Sequence, residues 1–186
     1  MKLPVYLYGH PVLRKVSTDI DKDYPNLDEF VKNMFDTMYG SNGIGIAAPQ
    51  VGRNDRIIVI DVDPLKDTFK ELAGVCMVLI NPHLEVLEDG ETNSREEGCL
   101  SLPGISENVV RTEKVHLTWL DEKFEAHDEV FSGYLARVIQ HEYDHLEGQV
   151  FTDHISVLRK QFIRNKLANI AKGKVRCDYK VRSAKK

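Results

Sequence analysis

Apolar residues recur at three- and four-residue steps in two stretches, at Leu27, Phe30, Val31, Met34, Phe35 and Met38 and again at Leu135, Val138, Ile139 and Leu146. Each stretch predicts a helix with one buried stripe. Between them the period changes. Residues 56–60 form a mostly β-branched apolar run that suits a buried strand. Residues 75–80 and 84–87 read as two further strands, Val109 and Val110 mark another, and 115–120 alternate apolar with polar. The segment near Phe124 is expected to pair back onto this sheet, and a third helix is predicted over about residues 155–171. Short, hairpin-like separations favour an α+β fold, with antiparallel or mixed β-sheets wrapped around the helix between Ser132 and Gly148 and a C-terminal helix.

A chain of 186 residues is long enough for one sizeable core and short for two. We therefore expect a single domain over 1–172 and a basic, disordered tail over 173–186. Three cysteines at no framework spacing point to a reducing compartment. The first ten residues hold no apolar stretch of signal-peptide length, and no later run could span a membrane, so a cytoplasmic protein without membrane contact is expected.

The middle helix carries the most specific chemistry. Ser132 is placed to cap its start and Gly148 to end it in a left-handed conformation. His141 and His145 are four residues apart and share a face, with Tyr134 and Val138 on the same stripe, so two imidazoles can meet one cation. Glu142 is rotated from His141 by about 100°, close enough to reach a water held by that cation without binding the cation itself. Two histidines satisfied by hydrogen bonds alone are the bland alternative, and it leaves Glu142 without a purpose.

Two ligands need a third. Longer zinc-endopeptidase motifs place a histidine where this chain has Phe151, and the thermolysin type takes a glutamate from a later helix, whereas residues 155–177 contain no acid at all. His154 fits on spacing but begins a new segment, where a surface or capping role suits it better. The candidate lies upstream. Cys99, between Gly98 and Gly104 in the run Glu97-Gly98-Cys99-Leu100-Ser101-Leu102-Pro103-Gly104, would complete a set that leaves one tetrahedral position open, as catalytic sites do. The competing reading is a buried small hydrophobe, which is how Cys76 is expected to behave.

Gly43-Ile44-Gly45-Ile46-Ala47-Ala48 also fits a dinucleotide-binding fingerprint, with Asp61 and Asp63 near the distance of a ribose-binding acid. That fingerprint must follow a strand and open a helix, whereas here a helix precedes it and Pro49 and Gly52 interrupt any helix after it. The glycines suit close approach of a peptide backbone instead.

Taken together, residues 43–50 (Gly-Ile-Gly-Ile-Ala-Ala-Pro-Gln), 97–101 (Glu-Gly-Cys-Leu-Ser) and 140–145 (Gln-His-Glu-Tyr-Asp-His) resemble, in order, the three motifs of the peptide deformylases. The likeness extends from the Pro11-Val12-Leu13-Arg14 run into the last helix, and that helix resembles the helical-tail branch of the family. The resemblance implies a metal-dependent hydrolase that removes the formyl group from the N-terminal formyl-methionine of nascent polypeptides, releasing formate. It implies one divalent metal per chain on Cys99, His141 and His145, natively Fe2+, with Zn2+, Ni2+ or Co2+ as alternatives. Glu142 is then the general base and acid, and the Gln50 side chain and Leu100 backbone N–H are the oxyanion donors. Gly43, Ile44, Gly45, Glu97, Gly98, Tyr134 and Val138 would line the substrate site, with Ile44, Tyr134 and Val138 forming a methionine-sized pocket. Ser106 stands where many relatives carry an arginine, which leaves recognition beyond the first residue open.

Charge adds one feature. From Ile155 onward eleven Lys and Arg face a single acid, Asp178, a net of +10 in a chain of −4, so residues 1–154 carry −14. A solvated basic helix is one reading. The resemblance implies another, docking on ribosomal RNA; the apolar Val157, Leu158, Phe162, Ile163 and Leu167 are expected to hold the last helix to the body, and a monomer is expected. A general metallopeptidase and a non-catalytic metal-binding or ribosome-associated module remain as other classes. The first is disfavoured by Phe151 and the missing downstream glutamate, and the second would have no use for Glu142 or Gln50.

Overall fold

The structure, a computed structural model, describes residues 1–87 and 91–184. In chain order its elements are β1 (Val5–Tyr6), α1 (Leu27–Tyr39), β2 (Gly45–Ala47), β3 (Ile57–Asp61), β4 (Cys76–Val86), β5 (Thr92–Gly98), β6 (Ser106–Thr112), β7 (Lys114–Leu120), β8 (Ala126–Ser132), α2 (Gly133–Leu146), α3 (Val157–Ala171) and β9 (Val181–Arg182). A five-stranded sheet of order β2-β3-β4-β7-β8 is antiparallel throughout, β5 and β6 form a separate antiparallel ribbon, and β1 pairs parallel with β9. The fold is α+β, as the order of periodicities implies.

The buried strand β3 shows why. Its four isoleucine and valine side chains are fully buried and divide between two cores, Ile57 and Val59 packing with α1 residues Met34 and Met38, and Ile58 and Ile60 with Val138, Ile139 and Leu146 of α2. Alternate side chains of a strand point to opposite faces, so one sheet serves both helices. A third core, with Leu7, Leu102, Val109, Phe151, Ile163 and Ile170, packs α3 against β6 and the segments that hold Leu7, Leu102 and Phe151.

Several expectations need correction. The two strands expected at 75–80 and 84–87 are one strand, β4, whose register shifts between Ile80 and His83. At that point Asn81 takes a left-handed φ of 49°, and its amide exchanges two hydrogen bonds with the backbone of Ile20 at 2.9 and 2.8 Å. Cys76 is exposed rather than buried, because it stands at the start of β4 beside Asp61. Ser132 is the N-cap residue of α2 but makes no side-chain capping bond, whereas Gly148 does take a left-handed φ of 69° after the helix. On α3, Ile163 is buried and Leu167 partly so, but Val157, Leu158 and Phe162 are exposed, Phe162 at 70%. Three of the five expected anchors therefore face solvent.

The tail also departs from expectation. Over the described residues 173–184 it is not disordered, since Val5 N–H donates to Lys180 O at 2.8 Å and Leu7 N–H to Arg182 O at 2.9 Å. Val175, Cys177, Tyr179 and Val181 turn toward the body while Lys174, Arg176, Asp178, Lys180 and Arg182 are exposed, the two-residue period of an extended segment. The tail residues Lys185 and Lys186 lie outside the described residues.

Candidate active site

Helix α2 holds the centre of the site because its residues face both ways. Ala136, Val138, Ile139 and Leu146 are buried, and the adjoining face turns His141 and His145 toward the segment that leaves β5. There Cys99 meets them. Its Sγ lies 3.3 Å from His145 Nε2, and one ligand atom from each of Cys99, His141 and His145 falls within 4.8 Å of the others. Among the described residues this is the one such group. Burial works against a Cys99 thiolate, yet the two imidazoles together bring its pKa down to about 5. His154 is elsewhere, its Nε2 2.8 Å from Asp144 on the exposed side of α2. Phe151 is buried with its ring facing that of His141, centroids 6.0 Å apart, as an apolar wall.

Glu142 lies beside this group and is 5% exposed. Burial, opposed by the neighbouring imidazoles, raises its pKa to about 7, and its Oε2 is buried without a hydrogen-bond partner. Gln50 is not an exposed loop residue. Its Oε1 accepts from Ala47 N–H at 2.8 Å, which turns the amide so that Nε2 approaches Cys99 Sγ and Ser101 Oγ, each at 3.4 Å.

A second layer of charge was not legible in the sequence. Glu97 accepts from Arg111 Nε at 2.7 Å and Arg137 Nη1 at 2.7 Å, and its other oxygen lies 2.8 Å from His141 Nδ1. Burial disfavours the carboxylate, but His141 and Arg111 hold its pKa at about 2. This hydrogen bond leaves the other ring nitrogen of His141 for a cation, the usual way a ligating histidine is oriented. Arg111 continues to Asp144 at 2.9 Å, and Arg137 donates to the carbonyl oxygens of Val109 and Asn93 at 3.0 Å each.

Comparison with known proteins agrees with this geometry. Residues 2–161 match the family model described as polypeptide deformylase. The chain belongs to the peptide deformylase family. It is 49% identical to the peptide deformylase of Christiangramia forsetii over 98% of this chain and 96% of that protein, and 48% identical to that of Flavobacterium psychrophilum over 98% and 97%. The crystal structure of a peptide deformylase from Legionella pneumophila superposes with a TM-score of 0.80 at 33% identity, covering 95% of this chain and 99% of that one. This deformylase is thus a metal-dependent hydrolase that removes the N-terminal formyl group from nascent peptides.

A cavity of about 530 Å³ opens in front of the cluster of this deformylase. Gly43, Ile44, Gly45, Gln50, Glu97, Gly98, Cys99, Leu100, Tyr134, Val138, His141 and Glu142 all line it, while His145 is fully buried behind. Glu97 reaches the cavity with its carboxylate already held by two arginines and His141. Sequence reasoning missed Arg137, whose charge gave no apolar signal, and the tail residues 176–179, which also line the cavity. The alternation Val175, Cys177, Tyr179, Val181 was the available sign of the latter. Among the described residues no helix is long and apolar enough to cross a membrane.

Proposed function

We propose that Cys99, His141 and His145 hold one divalent cation and that Glu142, Gln50 and the Leu100 N–H carry the hydrolysis of formyl-methionyl peptides. The observation that carries this reading is the approach of a thiol and two imidazoles to within 4.8 Å beside Glu142, whose buried Oε2 has no partner. A thiolate with two imidazoles is a donor set that divalent zinc or iron accepts. When bound, the cation supplies Lewis acidity toward the formyl carbonyl and the attacking water.

The remaining work falls to the chain. Glu142, with its pKa near neutrality, takes a proton from the attacking water and passes it to the departing amine. Gln50 Nε2, fixed by the bond from Ala47 N–H, and the Leu100 N–H donate to the developing oxyanion. Losing one such donor typically raises a barrier by about 2.7–4 kcal/mol. The methionine side chain lies against Ile44, Tyr134 and Val138, with Gly43 and Gly45 lining the same side of the cavity, and Gly98, which has the most open surroundings of these glycines, lets the peptide backbone come close. Glu97 acts through His141 rather than by touching substrate.

Native iron is the expected cation, with zinc, nickel and cobalt as substitutes that the same donors accept. The enzyme works as a cytoplasmic monomer, with residues 1–172 as its catalytic domain and the tail beyond it closing one side of the cavity, and meets nascent chains at the ribosome through α3. Support for docking comes from Arg164 and Lys166, which are exposed and make no ion pair among the described residues, next to the exposed Phe162. Arg159 is already held by Glu107 at 2.8 Å, and Lys160 donates to Asp153 O at 3.0 Å.

The test is formate release from a formyl-Met peptide by wild type and Glu142→Ala, with metal content measured in both. Glu142→Ala should retain the metal and lose about 10²–10⁴-fold in turnover. Near-normal turnover in that variant refutes the assignment, and cleavage of an unblocked peptide by wild type would favour a general peptidase.

A further inference from the structure

The cavity has a wall that the family match does not include. Matching ends at residue 161, yet Arg176, Cys177, Asp178 and Tyr179 line the same cavity as Cys99 and Glu142. This wall is built into the fold. Pairing of β9 with β1 holds it from beyond, and within it the Tyr179 hydroxyl donates to Leu100 O at 2.8 Å, tying the tail to the segment that carries the proposed oxyanion donor.

Depth orders the cavity. Glu142, 5% exposed, sits at its inner end with His145 buried behind, whereas Arg176 and Asp178 are exposed at its mouth. A formyl group that reaches Glu142 leaves the rest of the peptide to pass the exposed lining, which the tail shares with Asn42, Glu96 and Gly104. Of the buried charges in the lining, Glu97 and Arg137 are paired with one another, and Glu142 is the proposed general base. Arg176 makes no hydrogen bond or ion pair among the described residues. Along the exposed face of the extended tail it stands among Lys174, Lys180 and Arg182, with Asp178 the one acid. Of the exposed charges that line the cavity itself, Glu96 and Asp178 are acids and Arg176 is the cation, so among the described residues Arg176 is the one lining cation left free for a substrate.

Resting on the deformylase reading of the site, we propose that the tail segment 176–179 is the specificity wall for the residues that come after formyl-methionine, with Arg176 favouring an acidic side chain there. Arg176 is a specificity residue and takes no part in the chemistry.

The experiment measures kcat/KM on formyl-Met-X-Ala and formyl-Met-Ala-X amides, with X as Asp, Ala or Lys, for wild type, Arg176→Glu and Lys123→Glu. Lys123 is exposed in the turn between β7 and β8, away from the cavity lining, and controls for net charge. Wild type should prefer Asp over Lys in at least one series. Arg176→Glu should lower the Asp-to-Lys ratio by about fivefold or more, the range expected when an exposed charge pair turns from attraction to repulsion. Lys123→Glu should leave the ratio in place. An equal ratio in wild type and Arg176→Glu overturns the proposal, and so does an equal shift in Lys123→Glu, which would assign the preference to overall charge. No formate from any peptide with wild type would strike the deformylase reading itself and the wall with it, a result distinct from activity without selectivity.

Discussion

Gly45 lies so close against Glu142 that a β-carbon at position 45 would stand 2.6 Å from Glu142 Oε1 and 2.9 Å from both Cδ and Cγ. No real β-carbon sits that near, so the glycine on β2 sets where the carboxylate on α2 can be. Both residues are buried, which leaves little room to adjust. Gly45→Ala should therefore displace the general base while the Cys99, His141 and His145 group stays assembled. Misplacement on the scale of an ångström costs about 10²-fold in rate. We expect that loss in turnover with metal content unchanged, measured by formate release and elemental analysis on the same preparation. Full activity in Gly45→Ala would show that Glu142 has another productive position.

The ligand set predicts a second outcome. Cys99 is thiolate at neutral pH, and a serine hydroxyl in its place is a neutral, harder donor. Cys99→Ser should bind iron or zinc far more weakly and lose it on dialysis against a mild chelator. Metal retained in full stoichiometry would move the third ligand elsewhere.

Glu97 separates orientation from stability. Truncation to alanine leaves the buried guanidinium groups of Arg111 and Arg137 short of their shared partner, and breaking a buried pair costs about 3–5 kcal/mol. Glu97→Ala should unfold at clearly lower denaturant than wild type. Glu97→Gln keeps the shape and an oxygen facing His141, so it should fold but bind metal about 10–100-fold more weakly, as loss of a histidine's carboxylate partner does. Competition against a chromophoric chelator reads this directly; equal affinity in Glu97→Gln and wild type would remove Glu97 from the metal site's support.

Ribosome docking through α3 yields a salt-dependent prediction. Charge reversal at Arg164 and Lys166 should weaken cosedimentation with ribosomes, and wild-type binding should itself fall steeply between low and moderate salt, as phosphate contacts require. Activity on short formyl peptides should survive, because neither residue lines the cavity. Binding that is equal in both proteins and insensitive to salt would end the idea.

Truncation through the tail is a poor test of docking. Removing residues beyond 173 also removes β9, Tyr179 and the wall of the cavity. The reversed variants avoid that ambiguity.

Local order was readable in the residues alone. The stripe on α2, the four-residue step between His141 and His145, the adjacent Glu142 and the left-handed Gly148 all depend on contacts within a turn or two of one helix, where periodicity is the physics. Strand β3 was equally plain, because burial on both faces demands an unbroken apolar run. Cys99 and Gln50 required more, since neither spacing nor composition sets a distance between segments 40 to 50 residues apart, and the family motifs supplied what local physics does not. Tertiary structure alone decided the rest. Strand β5 has no apolar residue to announce it; it is held by pairing with β6 and by buried ion pairs through Glu97, whose partners Arg111 and Arg137 come from two other elements. The tail's alternation was present in the residues, but a two-residue period becomes a strand only when an open edge is there to receive it. That edge is β1, about 175 residues earlier in the chain, and pairing at such a separation is set by how the whole core closes rather than by either segment.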